Sequence, residues 1–176
     1  MIIPLPTLRG KILIILAIGN FAVAMVNPNP ATALITALFF AMVIAGFSFS
    51  FTSVSGLKIS REPSKDGVMG EPVLLPLKII NHTRRPRQTV IVRENIPFSV
   101  QTKFNDFAVH SLAARESRTL PRSIIADKRG HYSLSKITLI GGDSIGIFRV
   151  SRTFHLPGET VIYPATARIT DRKSVV

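Results

Sequence analysis

Between Lys11 and Lys58 the chain carries no charged residue. That gap limits the fold more than any other feature. It holds two apolar runs, Ile12 to Val26 and Ala31 to Phe51. The second is interrupted only by the small polar side chains Thr32, Thr36, Ser48 and Ser50. As an α-helix it rises about 31 Å, the thickness of a bilayer core, so a membrane crossing is expected. The first run rises about 22 Å and is short for a span unless Leu8 and Gly10 extend it while Arg9 and Lys11 snorkel to the lipid surface. Between the runs lies Asn27-Pro28-Asn29-Pro30, whose prolines end one helix and fix an extended turn. The sequence therefore predicts a two-helix transmembrane hairpin over residues 1–56, with spans at about 12–26 and 31–51. Asn20 is placed to bond Thr36 or Ser48 across the hairpin, a polar pair worth about 0.6 kcal/mol in lipid.

Charge orients the hairpin. Of a formal net charge of +12, all ten acidic residues and 20 of the 22 Lys and Arg lie beyond Gly56, and Arg9 and Lys11 supply the rest. Both outer flanks are basic and the turn is uncharged. The positive-inside rule then puts the flanks in the cytoplasm and the turn outside. The implied location is the bacterial cytoplasmic (plasma) membrane, with membrane lipid as a partner and the following domain on the cytoplasmic side. Arg9 and Lys11 before an apolar run, with Ala22-Val23-Ala24 resembling a cleavage site, also fit a cleaved signal peptide. In that case the second run is a stop-transfer segment and the orientation is unchanged. The chain has no cysteine, which excludes disulfides, thiolate catalysis and cysteine-based metal centres.

Residues 57–170 suffice for one small domain, and short strands dominate them. Leu57 to Arg61 reads as a strand, and Lys65-Asp66-Gly67 as a turn. From Val73 to Asn81, Val73, Leu75, Leu77 and Ile79 share one face while Pro76 and Lys78 fall on the other, and Pro76 marks an edge or bulge. Thr89 to Asn95 is β-branched and is expected to pair with it as a hairpin. Further strands are predicted at Ser99 to Phe104, Ser117 to Leu120, Ser123 to Ala126, Lys136 to Ile140, Ile147 to Thr153 and Thr160 to Tyr163. Turns are expected at Gly130, Gly141-Gly142, Gly146 and Gly158. No amphipathic helix follows Phe51. The predicted architecture is an all-β immunoglobulin-like antiparallel sandwich, without the cysteine pair and tryptophan of true immunoglobulin domains.

Three segments carry a family resemblance: Lys128-Arg129-Gly130-His131-Tyr132-Ser133-Leu134, then Gly142-Asp143-Ser144-Ile145-Gly146-Ile147-Phe148-Arg149, then Val161-Ile162-Tyr163-Pro164. In that order they resemble the Arg-Gly-x-Tyr-x-Leu, Asp-Pro-Phe-Gly-Leu-Phe and Val-Tyr-Pro motifs of the N-terminal half of the bacterial domain-of-unknown-function family 58. Ile59 to Pro63 and Asn81 to Pro86 resemble that family's opening strands, which two membrane spans precede. Ser144 and Ile145 replace the family's proline and phenylalanine, a less rigid turn. The family continues into a von Willebrand factor A-like domain with Arg-Glu-Tyr and Gly-Asp motifs, none of which occurs here, so a shortened chain is expected. Asp171 to Val176 are encodable as GAT CGG AAG AGC GTC GTG, which looks like a sequencing adapter. On that reading native sequence ends near Thr170 and residues 171–176 are a non-native tail, an idea that any other codons there would remove.

The candidate chemistry is thin. Gly142-Asp143-Ser144-Ile145-Gly146 matches the G-x-S-x-G nucleophile elbow, but that motif needs a helix directly after it, and a strand is predicted here. His82, His110, His131 and His155 lack metal-ligand spacing. Asp127, Asp143 and Glu159 each adjoin a Gly or a basic residue at an expected turn, where backbone bonding is the ordinary role. Arg84-Arg85-Pro86-Arg87, with Lys78, Arg93, Arg115, Arg118 and Arg122 elsewhere, suits an anionic inner leaflet better than nucleic acid, for which no recognition helix or aromatic platform is present. No catalytic, cofactor or metal residue is assigned, and no nucleic-acid partner is expected. The leading reading is a non-enzymatic membrane-anchored scaffold or interaction module. By resemblance, its partner is a MoxR-type AAA+ ATPase in envelope complex assembly. The alternatives are a fragment of an enzyme or metal-binding protein whose functional domain lies downstream, and a basic lipid- or nucleic-acid-binding domain.

Overall fold

The computed structural model describes residues 3–99 and 105–165. Strand β1 (Leu5–Pro6) leads into helix α1 (Leu8–Val26), and α2 (Pro30–Ser53) follows. The turn between the helices is a C-cap and an N-cap placed back to back. Asn27 ends α1, while the Asn29 side chain accepts from Ala31 N at 3.0 Å and Pro30 opens α2, where its missing N–H is no loss. Both helices are long and apolar enough to cross a membrane. Extension of α1 back to Leu8 gives it about 28 Å, and α2 spans about 36 Å.

The buried helical residues are mostly small: Gly10 and Ala17 in α1, Thr36, Gly46 and Ser50 in α2. Gly10 and Gly46 lie against Ile147 and Phe148 of the strand domain, and the larger apolar side chains turn outward. Leu16, Ile18, Leu34, Leu38, Ile44 and Phe49 are all more than half exposed. Across the seam Asn20 Nδ2 donates to Thr36 Oγ1 at 2.7 Å and to Thr32 O at 3.3 Å, so Thr36 rather than Ser48 is its partner. Phe21 meets Phe40 edge-on, with centroids 6.1 Å apart.

Among the described residues ten strands follow the helices: β2 (Leu57–Arg61), β3 (Gly67–Val68), β4 (Pro72–Leu74), β5 (Leu77–Asn81), β6 (Val90–Glu94), β7 (Asn105–Val109), β8 (Ser117–Leu120), β9 (Ser123–Ile125), β10 (Gly130–Gly142) and β11 (Phe148–Tyr163). A six-stranded sheet runs β1-β11-β10-β6-β7, with β3 joined in parallel to the far end of β11. The sequence β2-β5-β8 forms a second sheet and β4-β9 a third, and every pairing except β3 with β11 is antiparallel. One apolar cluster draws Leu57, Ile59, Leu77, Ile79 and Leu120 from the three-stranded sheet and Val90, Val92, Ile137, Leu139 and Val150 from the six-stranded one. A second gathers Val73, Leu75, Ile96, Phe98, Leu134 and Ile162.

Several predicted strands change shape. Val73 to Asn81 keeps its alternation, with Val73, Leu75, Leu77 and Ile79 all buried, but it divides at Pro76. There β4 pairs with β9, whereas β5 pairs with β2 and β8. Proline has no N–H for a ladder, and its carbonyl instead accepts from Glu62 N. The expected hairpin between this segment and Thr89 to Asn95 does not form. Buried Asn81 donates to Arg85 O and Ala113 O, both at 2.9 Å, and accepts from Thr83 N. The chain thereby turns across to the other sheet, where β6 pairs with β7 and β10. Ile147 to Thr153 and Thr160 to Tyr163 merge into β11, and Lys136 to Ile140 is the middle of β10, so Gly130, Gly141, Gly142 and Gly158 lie within strands. The register slips between Leu134 and Lys136, whose partners pass from Gly158 to His155. The bulge puts one extra residue into β11 and accommodates Pro157. Strand β7 was not predicted. Residues 100–104 of the predicted strand Ser99 to Phe104, and the whole 171–176 tail, lie outside the described residues.

Candidate functional site at the helix–strand joint

The turn from Gly142 to Phe148 joins β10 to β11. Its aspartate organises it: Asp143 Oδ2 accepts from Ile145 N and Ile147 N, each at 3.1 Å, and Oδ1 accepts from Phe148 N at 2.6 Å. Gly146 adopts φ +78°, a conformation that costs glycine nothing. Ser144 Oγ donates to Gln88 Oε1 at 2.7 Å, and strand β11 follows it. The G-x-S-x-G segment is therefore a carboxylate-braced turn with no elbow geometry.

That turn seats on both helices. Thr7, the N-cap of α1, accepts from Gly10 N and donates its hydroxyl to Gly146 O at 2.6 Å, while Thr7 N donates to Ile147 O at 2.9 Å. Any Cβ at Gly10 would overlap the Ile147 carbonyl oxygen. From the other helix, Gly46 lies against Ile147 and Phe148, and Phe47 meets Phe148 edge-on at 5.7 Å between centroids. Ile147 is buried in this seat, whereas Ile145 at the tip is exposed. Arg9 approaches Gly146 from the α1 side. The start of α1 and the end of α2 thus meet the strands together, with the Asn27–Asn29 turn at the opposite end.

Beside the seat is a cavity of about 320 Å³. Its walls are Phe49, Thr52 and Ser53 of α2, the loop from Arg85 to Gln88, and the turn from Gly142 to Ser144. Helix α2 has no basic residue in its last turn. Arg87 supplies one from a distance, donating Nη2 to Ser55 O at 2.9 Å just past the helix end, where the macrodipole favours a cation. Its Nε is buried with no partner. Burial first, and the neighbouring Arg85 charge second, lower the Arg87 pKa.

A second polar centre lies inside the strand domain. Glu94 accepts from Arg61 through one oxygen and from Arg122 through the other, and all three side chains are buried. Glycine at 158 makes room for the Arg61 stem. The triad ties the three-stranded sheet and the β8–β9 connection to β6. Two guanidinium nitrogens on each arginine lack partners.

The remaining sequence candidates do not converge. Asp143 and Glu159 lie at opposite ends of the β10–β11 ladder, about 30 Å apart. Asp127 donates its backbone N–H to Phe98 O, and exposed His131 pairs with Glu159 at 3.3 Å. Among the described residues no group of three or more His, Asp or Glu could hold a metal ion. Sequence reading missed Thr7, Gly10 and the triad. Only Thr7 carried a signal, a good N-cap residue just before an apolar run.

No family model and no curated protein matches the chain. Among solved structures, it is similar to the Pseudomonas fluorescens alkylpurine DNA glycosylase AlkC bound to DNA containing an abasic site analog, at 16% identity and a TM-score of 0.37. The match covers 82% of this chain and 43% of that one. The chain thus spans less than half that protein's length, and a likeness at this score transfers neither fold nor activity.

Proposed function

We propose that this protein is a non-enzymatic scaffold anchored in a bacterial cytoplasmic membrane. Its hairpin spans the bilayer, and the strand domain, an immunoglobulin-like sandwich, stands on the cytoplasmic face. The observation that carries the reading is the seat of the Asp143-braced turn on Thr7, Gly10 and Gly46. Contacts to both helices fix the domain's attitude to the membrane, which a presenting surface needs and a flexible tether would not provide. The core shared by two sheets supports the sandwich, and the basic flanks support the orientation. Cleavage after Ala24 would delete Thr7 and Gly10 from the seat, which supports a retained first helix.

The motif resemblance nominates a MoxR-type AAA+ ATPase as the protein partner. Purification of the natural full-length product from membranes is expected to recover such an ATPase. Clean recovery of the membrane protein without it would count against this partner.

A further inference from the structure

We propose that the cavity beside the seat is a binding site for the phosphodiester headgroup of an anionic phospholipid. The inference rests on the membrane reading above. Its position selects the source of the phosphate. One wall is Phe49, which is 68% exposed on the lipid-facing surface of α2, so an acyl chain lying along the helix brings its headgroup to the opening. The opposite wall is the loop with Arg85 and Arg87. Guanidinium forks match phosphate oxygens, and Arg85 and Arg87 bring two of them to this one wall. Gln88 gives its Oε1 to Ser144, which leaves its amide NH₂ to donate.

The negative groups nearby are already engaged. Asp143 spends both oxygens on three backbone N–H groups. Thr52 and Ser53 hydroxyls donate to the carbonyls of Phe49 and Ser50 at 2.9 and 2.8 Å, covering part of the negative end of α2. Arg85 and Arg87, which have no carboxylate partner among the described residues, line the space that remains. Such a pair of guanidinium groups on one wall favours an anion.

The test uses the full chain reconstituted in equimolar phosphatidylcholine and phosphatidylglycerol, with spin-labelled versions of each lipid as probes. The unmodified protein is expected to prefer phosphatidylglycerol. Arg85→Gln, at an exposed position, should lower that preference about fivefold, since a basic side chain near an anionic surface is worth about 1 kcal/mol. Arg87→Gln also loses the bond to Ser55 O, so Arg85→Gln is the cleaner variant. Lys128→Gln, remote and exposed, should leave the preference unchanged, and excess inorganic phosphate should not displace the lipid. Equal affinity for both lipids, an undiminished preference in Arg85→Gln, an equal loss in Lys128→Gln, or displacement by inorganic phosphate would each overturn the proposal. If the protein stays in the membrane but shows no preference, the lipid site falls and the anchor stands. Departure into the aqueous phase would end both.

Discussion

Single glycines report directly on the seat. Gly10 and Gly19 lie on the same helix, yet a Cβ at Gly10 meets the Ile147 carbonyl and one at Gly19 meets nothing within 4 Å. Gly19→Ala should therefore be neutral or stabilise by up to about 1 kcal/mol through helix propensity. Gly10→Ala should cost about 1–3 kcal/mol through overpacking. Thermal unfolding in detergent, followed by circular dichroism, separates the two. The buried triad gives a second contrast. Glu94→Ala strands two arginines in the core and should cost about 3–5 kcal/mol, whereas replacing Arg61, Glu94 and Arg122 together by Met, Leu and Met should cost far less or stabilise. Denaturant midpoints of the two variants decide it.

A pH effect also belongs to single residues. Arg93 donates Nε and Nη2 to the two oxygens of Asp106 at 2.7 and 2.6 Å, and this bonding, with the Arg93 charge, holds the Asp106 carboxyl below its usual range. A depressed carboxyl contributes stability above its unfolded pKa, and that contribution is lost as pH falls through the folded value. The β6–β7 pair should accordingly weaken in acid, below about pH 4. Both side chains stay more than a third exposed, so screening limits the effect to about 0.2–1 kcal/mol. Amide exchange in β7 measured against pH should show it, and Asp106→Asn should abolish this part of the dependence.

Elements were legible in the sequence wherever local chemistry decided them. Asn-Pro-Asn-Pro closes one helix and caps the next. The alternation from Val73 to Ile79 marks a buried face whether or not the strand is continuous. Partner choice was not legible. Residues 77–81 and 90–94 look like a hairpin because both alternate, and nothing local shows that Asn81 binds Arg85 and Ala113 carbonyls and sends the chain to the other sheet. Glycines at 141, 142 and 158 read as turns, yet they serve close packing inside long strands against Ser53, the Phe148 carbonyl and the Arg61 stem. The helix pair carries its own prediction: Asn20→Leu removes the bond to Thr36 and should weaken the pair by about 0.6 kcal/mol, measurable as a small fall in the thermal midpoint of the hairpin in micelles.

At the scale of the whole molecule, the sequence indicated two helices and a strand-built domain but not the joint between them. That joint is made by Thr7 with residues 146 and 147, about 140 positions away, a distance no spacing rule reaches. The Asp143 motif was visible as a turn, while its role as a plug between two helices needed the three-dimensional arrangement. The hairpin is proposed to cross a membrane with the strand domain seated at its basic ends. The chain has no cysteine, so single cysteines introduced by Asn29→Cys in the helix turn and Lys128→Cys in the strand domain give clean reporters at two exposed positions. In sealed, oriented vesicles treated with a membrane-impermeant maleimide, the two sites should react from opposite sides, position 128 from the cytoplasmic side. Labelling of both from the same side, or recovery of the protein in the aqueous phase without detergent, would contradict the proposal.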